Sequence, residues 1–240
     1  MEALKKLGQV EKALAVDGGE LAKINRQTLR PLTEEEVYAF RFVACDCAVD
    51  RDHEHFSKKA LKQLAKLFVG RPVLRDHRWS ADTQTARIYA AEVEETGTDA
   101  RLVCRAYMLR SDATADTVAA LEAGILREVS VGCAMDKAVC SVCGVDKSRA
   151  WCEHRPGKDY NGQVCTVELD EAVDAYECSL VAVPAQKGAG VVKQYGGEDQ
   201  KPALLDLKQT EEVKKALALI ELEEQYFLRR ERHETERTHL

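Results

Sequence analysis

The sequence predicts an α+β fold, a β-sheet assembled mainly from antiparallel returns with two short amphipathic helices between its strands. Three observations predict it. Two strand-like runs, Thr85 to Glu94 and Ala100 to Leu109, flank Thr96-Gly97-Thr98-Asp99, a hairpin signal with glycine in the turn. Between residues 31 and 195, helical periodicity falls on two segments of about ten residues, each with a capping residue before it and a glycine after it. Glu128-Val129-Ser130-Val131-Gly132-Cys133-Ala134 alternates in the strand manner, with Glu128, Ser130 and Gly132 on one face and Val129, Val131 and Cys133 on the other.

In chain order, residues 1–30 mix Leu4, Leu7, Val10 and Leu14 with charge and then pass through Gly18-Gly19, so they are expected to form a leader outside the core. Pro31 and the acidic run Glu34-Glu35-Glu36 open the domain ahead of the strand Val37 to Cys45. Ser57 is a plausible N-cap for the helix Lys58 to Val69, whose Ala60, Leu64 and Leu67 share a face with Phe56 while its lysines point to solvent; Gly70 stops it. Gly70-Arg71-Pro72-Val73-Leu74-Arg75-Asp76-His77 is a short apolar run ending in a histidine. After the hairpin, Ser111 or Asp112 caps the helix Ala113 to Ala123, and Gly124 returns the chain to the serine-bearing strand. Periodicity vanishes over 136–163, which reads as an inserted loop, and strands resume at Val164 to Leu169 and Ala175 to Val183, closed by Pro184. Beyond the glycines near 188–197, residues 196–240 form a charged tail of helix formers with a narrow stripe of Val213, Leu217, Ile220 and Phe227. The expected organisation is a leader (1–30), a compact domain (31–195) carrying the insertion at 136–163, and a helical tail (196–240).

A net charge of −6 supplies no basic stripe for phosphates, so nucleic acid is not an expected partner; proteins are. No apolar run approaches the ~20 residues that span a bilayer, and Met1-Glu2-Ala3-Leu4-Lys5-Lys6 lacks the apolar stretch of a signal peptide. The expectation is a soluble intracellular chain without a membrane partner. Nine cysteines in such a chain point to thiols and metal ligation instead of disulfides.

A serine hydroxyl becomes a nucleophile when an imidazole takes its proton, and the imidazole works better when an acid holds its tautomer. His77, Ser130 and Glu177 supply these types in that chain order, each at or near a strand. Spacing alone leaves the alternatives open: Ser130 as an ordinary strand serine, His77 as a satisfied histidine, and Glu177 on a solvated face with Ser179.

The same residues carry a resemblance. Asp52-His53-Glu54 before a helix, Gly70-Arg71-Pro72-Val73-Leu74 leading to His77, Arg87-Ile88-Tyr89, Gly124 before Val129-Ser130-Val131-Gly132, and Glu177-Cys178-Ser179-Leu180-Val181 ending in Pro184-Ala185 together resemble the tailed-bacteriophage prohead proteases, over about residues 36–193. Those enzymes are similar to the assemblin-type serine peptidases of herpesviruses. The resemblance implies a closed antiparallel β-barrel surrounded by helices, His77 as base and Ser130 as nucleophile. Where the herpesvirus enzymes use a second histidine, Glu177 is the best-placed acid here. It further implies cleavage of scaffold and major capsid proteins, self-trimming and self-association, and a location in the host cytoplasm inside the assembling prohead.

Cys140-Ser141-Val142-Cys143 is a C-x-x-C knuckle, and Cys152-Glu153-His154 adds two ligands within a dozen residues. Four soft donors around a tight turn suit a closed, structural zinc site, with Cys165 as a spare able to replace His154. Cys45, Cys47, Cys104, Cys133 and Cys178 fall in strand-like runs and are expected to be small core residues. Two other functions compete with a serine endopeptidase. A non-catalytic zinc-containing scaffold or assembly factor has no need for both His77 and Ser130. A zinc hydrolase lacks its His-Glu-x-x-His pattern.

Overall fold

A computed structural model describes residues 16–186 and 190–191. The expected tail, with its stripe, and the first half of the leader lie outside the described residues. Strands are β1 (Val37–Asp46), β2 (Glu54–Phe56), β3 (Pro72–Arg75), β4 (Ala86–Thr96), β5 (Asp99–Leu109), β6 (Val129–Cys140), β7 (Asp159–Tyr160), β8 (Gln163–Val164), β9 (Val167–Leu180) and β10 (Gly190–Val191). Helices are α1 (Gly18–Asn25), α2 (Lys58–Leu67) and α3 (Asp112–Glu122). None of these helices is long and apolar enough to cross a membrane.

The α+β class is as expected, but the closed antiparallel barrel is not formed. The main sheet runs β10-β1-β5-β4-β3-β9, with β2 and β6 also on β9. It is mixed, because β2 and β3 both pair parallel to β9, at Glu54–Phe56 and Val73–Arg75. It is also open. Closure requires the two outermost strands to offer each other a ladder in common register. Here β1 gives its outer edge to β10 at only Phe42 and Val43, while the far end of β6 bends into a bridge between Val139 and Asp146.

Local signals explain most elements. Ser57 Oγ accepts from the Ala60 amide at 2.9 Å and donates to Asp170 at 2.7 Å, so one hydroxyl starts α2 and ties it to β9. The face of α2 carrying Ala60, Leu61 and Leu64 is buried in the main core with Phe40, Phe42, Leu102 and Ile88. Ser111 and Thr114 form a capping box on α3. The β4–β5 hairpin turns at Gly97, in the left-handed region at φ 61°, as its sequence indicated.

Part of the expected leader folds onto the sheet. β1 is apolar on both faces: Tyr38, Phe40 and Phe42 enter the main core, while Val37 and Ala39 meet a second cluster with Tyr89 and Tyr107. A two-sided strand needs two covers. The second cover is α1, started by Asp17 capping Glu20, with Ile24 fully buried and Leu32 following. Gly18-Gly19 therefore opens a helix that belongs to the fold, where a leader outside the core was expected. Glu20 fastens α1, accepting from Tyr89 Oη at 2.6 Å, Arg105 Nη1 at 2.8 Å and Lys23 Nζ at 2.6 Å. Burial opposes ionisation of Glu20, but these three donors outweigh it and hold the carboxyl below its ordinary value of 4.5. A depressed carboxyl stabilises the fold above that value and loses the contribution as pH falls through the lower, folded one. Glu20→Gln should therefore cost about 1–3 kcal/mol at pH 7 and measurably less at pH 3, in urea melts at both pH values. An equal difference at the two pH values would remove Glu20 from this role.

Candidate active site and metal centre

β9 is the strand around which the site is built. β6 lies antiparallel on one edge and β3 parallel on the other, so Ser179 stands between Ser130 and Leu74. Ser130 faces Ser179, and Gly132 faces Glu177, as direct cross-strand partners. Such partners have Cβ atoms about 4.5–5.5 Å apart on a common face, which places Ser130 beside Ser179 and on the same side as Glu177. That face is not solvated: Glu177 is 2% exposed and Ser179 fully buried. Ser130 is partly exposed.

His77 arrives from β3. The chain leaves Arg75 through Asp76 and His77, both in the left-handed region at φ 54° and 52°, a conformation that residues with a Cβ adopt only when their surroundings hold them there. Leu180 O takes the Asp76 amide at 3.0 Å, and Ser179 Oγ takes the His77 amide at 3.0 Å. The turn lays the imidazole against Glu177, with Nδ1 to Oε1 at 2.7 Å. The other carboxylate oxygen, Oε2, accepts from Ser179 Oγ at 2.6 Å. A carboxylate at Nδ1 puts the ring proton there and leaves Nε2 as the acceptor. No hydrogen bond joins His77 to Ser130.

Gly132 makes room for the acid. A Cβ added there would lie 2.5 Å from Glu177 Oε1. Because Gly132 is not in the left-handed region, alanine brings contact without backbone strain. Gly132→Ala should push the carboxylate off His77 and lower any activity of the site by about tenfold to a hundredfold, since displacements near 1 Å have effects of that size. A cleavage assay beside a thermal melt checks this, and an unchanged rate with a folded protein would refute it.

One further feature lies beside this pair. Between Gly132 and Cys133 the register slips past Tyr176, leaving it as the extra residue of a β-bulge next to Glu177. The exposed Trp79 ring packs on Tyr176 with centroids 5.4 Å apart.

The far ends of β6 and β9 carry the cysteine-rich lobe. β6 continues to Cys140, so the segment without regular pairing is shorter than the expected 136–163 insertion. Lys147 N donates to Ala138 O at 2.7 Å, and Cys140 N to Val145 O at 2.9 Å. Gly144, at φ 71°, closes the knuckle through its amide to Cys140 O at 2.9 Å. β7 and β8 form a second small hairpin turning at Asn161-Gly162, both at positive φ.

Ligand atoms of Cys140, Cys143, Cys152 and His154 all lie within 4.8 Å of one another, a cluster that can hold a metal ion. Cys143 and Cys152 Sγ are 3.4 Å apart, and Cys152 Sγ is 3.5 Å from His154 Nδ1. Metal–sulfur bonds of ~2.3 Å in a tetrahedron imply sulfurs about 3.8 Å apart, so the set needs little adjustment. Burial opposes ionisation of Cys140, but the Cys143 and Val142 amides, with the Cys143 and Cys152 thiols, bring it down to about 6. Cys165, buried 3.8 Å from Cys140 Sγ, is pushed up by burial. Tyr160 holds the His154 ring edge-on at 4.6 Å.

Of the strand-borne cysteines, Cys45, Cys104 and Cys178 are fully buried, and burial raises their thiols, so they are poor nucleophiles. Sequence reasoning missed Ser179. Its only signal was its place two residues after Glu177, which puts both on one face of a strand. Compared with known protein families, curated proteins and solved structures, the chain shows no match.

Proposed function

We propose that this chain is a serine endopeptidase of the prohead-protease type, with Ser130 as nucleophile, His77 as general base and Glu177 as the acid that orients it. The observation carrying the proposal is a buried carboxylate bonded to His77 Nδ1 at 2.7 Å on the face that also presents Ser130. Burying a carboxylate is costly unless it is paired, and pairing it with a half-exposed imidazole is the acid–base half of the arrangement that acyl transfer needs, with Ser130 on the same face of the sheet as the acid. In this mechanism His77 Nε2 takes the Ser130 proton as Oγ attacks the scissile carbonyl, then returns it to the leaving amine. Glu177 keeps the Nδ1 proton in place and offsets the imidazolium charge.

The resemblance supports scaffold and major capsid proteins as substrates, self-trimming, and action inside the assembling prohead. The donor set supports zinc as the metal: three thiols and an imidazole form a closed shell with no position for substrate, which makes the ion structural. The missing Ser130–His77 hydrogen bond favours the competing reading, a non-catalytic zinc-containing assembly factor. Such bonds are often long before substrate binds. Co-expression with capsid and scaffold proteins decides between the readings: new capsid or scaffold fragments support the peptidase, and intact partners in a co-purifying complex support the assembly factor.

A further inference from the structure

We infer that Ser179 is a positioning residue for the proposed catalytic pair, fixing the backbone of His77 and the carboxylate of Glu177 with one hydroxyl. The inference rests on the peptidase reading but is tested separately from it. Ser179 is fully buried in the middle strand of three, and both hydrogen bonds of its hydroxyl go to the pair. A serine hydroxyl has one proton and two lone pairs. The proton goes to Glu177 Oε2 at 2.6 Å, which leaves Oε1 for the imidazole. A lone pair takes the His77 amide at 3.0 Å and so supports the left-handed residue on which the imidazole stands.

This arrangement differs from that of an ordinary buried serine. A serine with a merely structural role bonds its own or a neighbouring strand's backbone. Ser179 makes such a backbone bond, to the His77 amide 102 positions away, but its proton goes to a buried charged side chain, so one hydroxyl joins the backbone of the histidine to the carboxylate that orients it. Without the hydroxyl, Glu177 Oε2 is buried without this donor, and the His77 amide has no partner inside the sheet. Both losses act on the angle between Nδ1 and Oε1, and through it on where Nε2 points. The same geometry excludes Ser179 as a rival nucleophile, because it is inaccessible and its proton is engaged by the acid.

The test compares Ser179→Thr with Ser179→Val in the full-length chain. These side chains match in shape and differ in the hydroxyl, so any cost of the added volume is common to both. The first readout needs no catalysis: in a Ser130→Ala background, the downfield Nδ1 proton of His77, bonded to Glu177, is followed by ¹⁵N-edited NMR. The second is steady-state cleavage of a capsid-protein peptide with Ser130 intact. Ser179→Thr should retain the resonance, and Ser179→Val should lose it or move it upfield. The valine variant should have a kcat about tenfold or more below the threonine variant, with KM within about twofold, because orientation of the pair matters in the transition state and not in binding. Identical resonances in the two variants, or equal kcat values, would overturn the positioning role. If the wild type cleaves no peptide, the peptidase reading falls, and the His77 resonance alone decides the role of Ser179.

Discussion

Replacing Ser130 by alanine should abolish processing of capsid and scaffold proteins while leaving the melting temperature within a few degrees of wild type. Loss of a triad nucleophile lowers kcat by on the order of 10⁶ in a well-studied serine protease, because the remaining members then have nothing to activate. The fold should survive, since Ser130 is partly exposed and its strand is held by Val129 in the core and by pairing with β9. His77→Ala should be similarly severe. Glu177→Gln should be much milder, about ten to a hundredfold, for a reason specific to this site. The Ser179 hydroxyl can reverse and accept from the amide nitrogen, leaving the amide oxygen for His77 Nδ1, so the tautomer survives and only the charge is lost. Fragment yields from co-expression and peptide kinetics measure all three variants. Undiminished cleavage by Ser130→Ala would remove it as nucleophile, and a wild-type rate for Glu177→Gln would remove the acid from the site.

Metal removal should have the second-largest effect, confined to one end of the molecule. Protein purified without chelator should carry about one equivalent of zinc, and Cys143→Ser or Cys152→Ala should bring it below about half. Structural zinc sites contribute roughly 10–16 kcal/mol of apparent binding free energy that is also folding free energy. The lobe buries little apolar surface of its own: Cys143 and Trp151 are exposed, and β7 and β8 contribute two residues each, so its remaining ties are mainly hydrogen bonds. Limited proteolysis should then cut between Ser141 and Thr166 while the sheet around Ser179 resists. Cys165→Ser should keep the metal, because His154 and not Cys165 completes the four-donor cluster. Less than half an equivalent of zinc in the unmodified protein would exclude the closed four-ligand site.

Local chemistry was the legible part of this chain. Ser57, Ser111, Gly70 and Gly97 start or stop elements through hydrogen bonds and φ preferences within a few residues, so their positions could be read directly. The C-x-x-C knuckle and its two partners are likewise close in sequence, and a metal's demand for soft donors in a small sphere survives any tertiary arrangement. Asn161-Gly162 was as readable as these, but runs of two residues are too short to declare a strand pair by periodicity.

The sequence by itself determined the α+β class, the limits of α2 and α3 to within two residues, the main hairpin and the candidate chemical types His77, Ser130 and Glu177. Only the tertiary structure decided how these meet. Expected strands on either side of Glu171 proved to be one long, twice-bulged β9, because a strand tolerates an extra residue whose cost is met by its partner across the sheet. Glu177 is buried and not solvated in a setting made by non-local neighbours, the turn after β3 that lays His77 against it and Gly132 of β6 that leaves it room, and no window of sequence records that meeting. The same holds for α1, drawn from an expected leader by the second apolar face of β1, and for the sheet, which stays open because its outer strands share no register. Ser179 gains its partners for the same reason: a cross-strand neighbour is set by pairing between segments about a hundred residues apart, and that pairing is a property of the folded sheet alone.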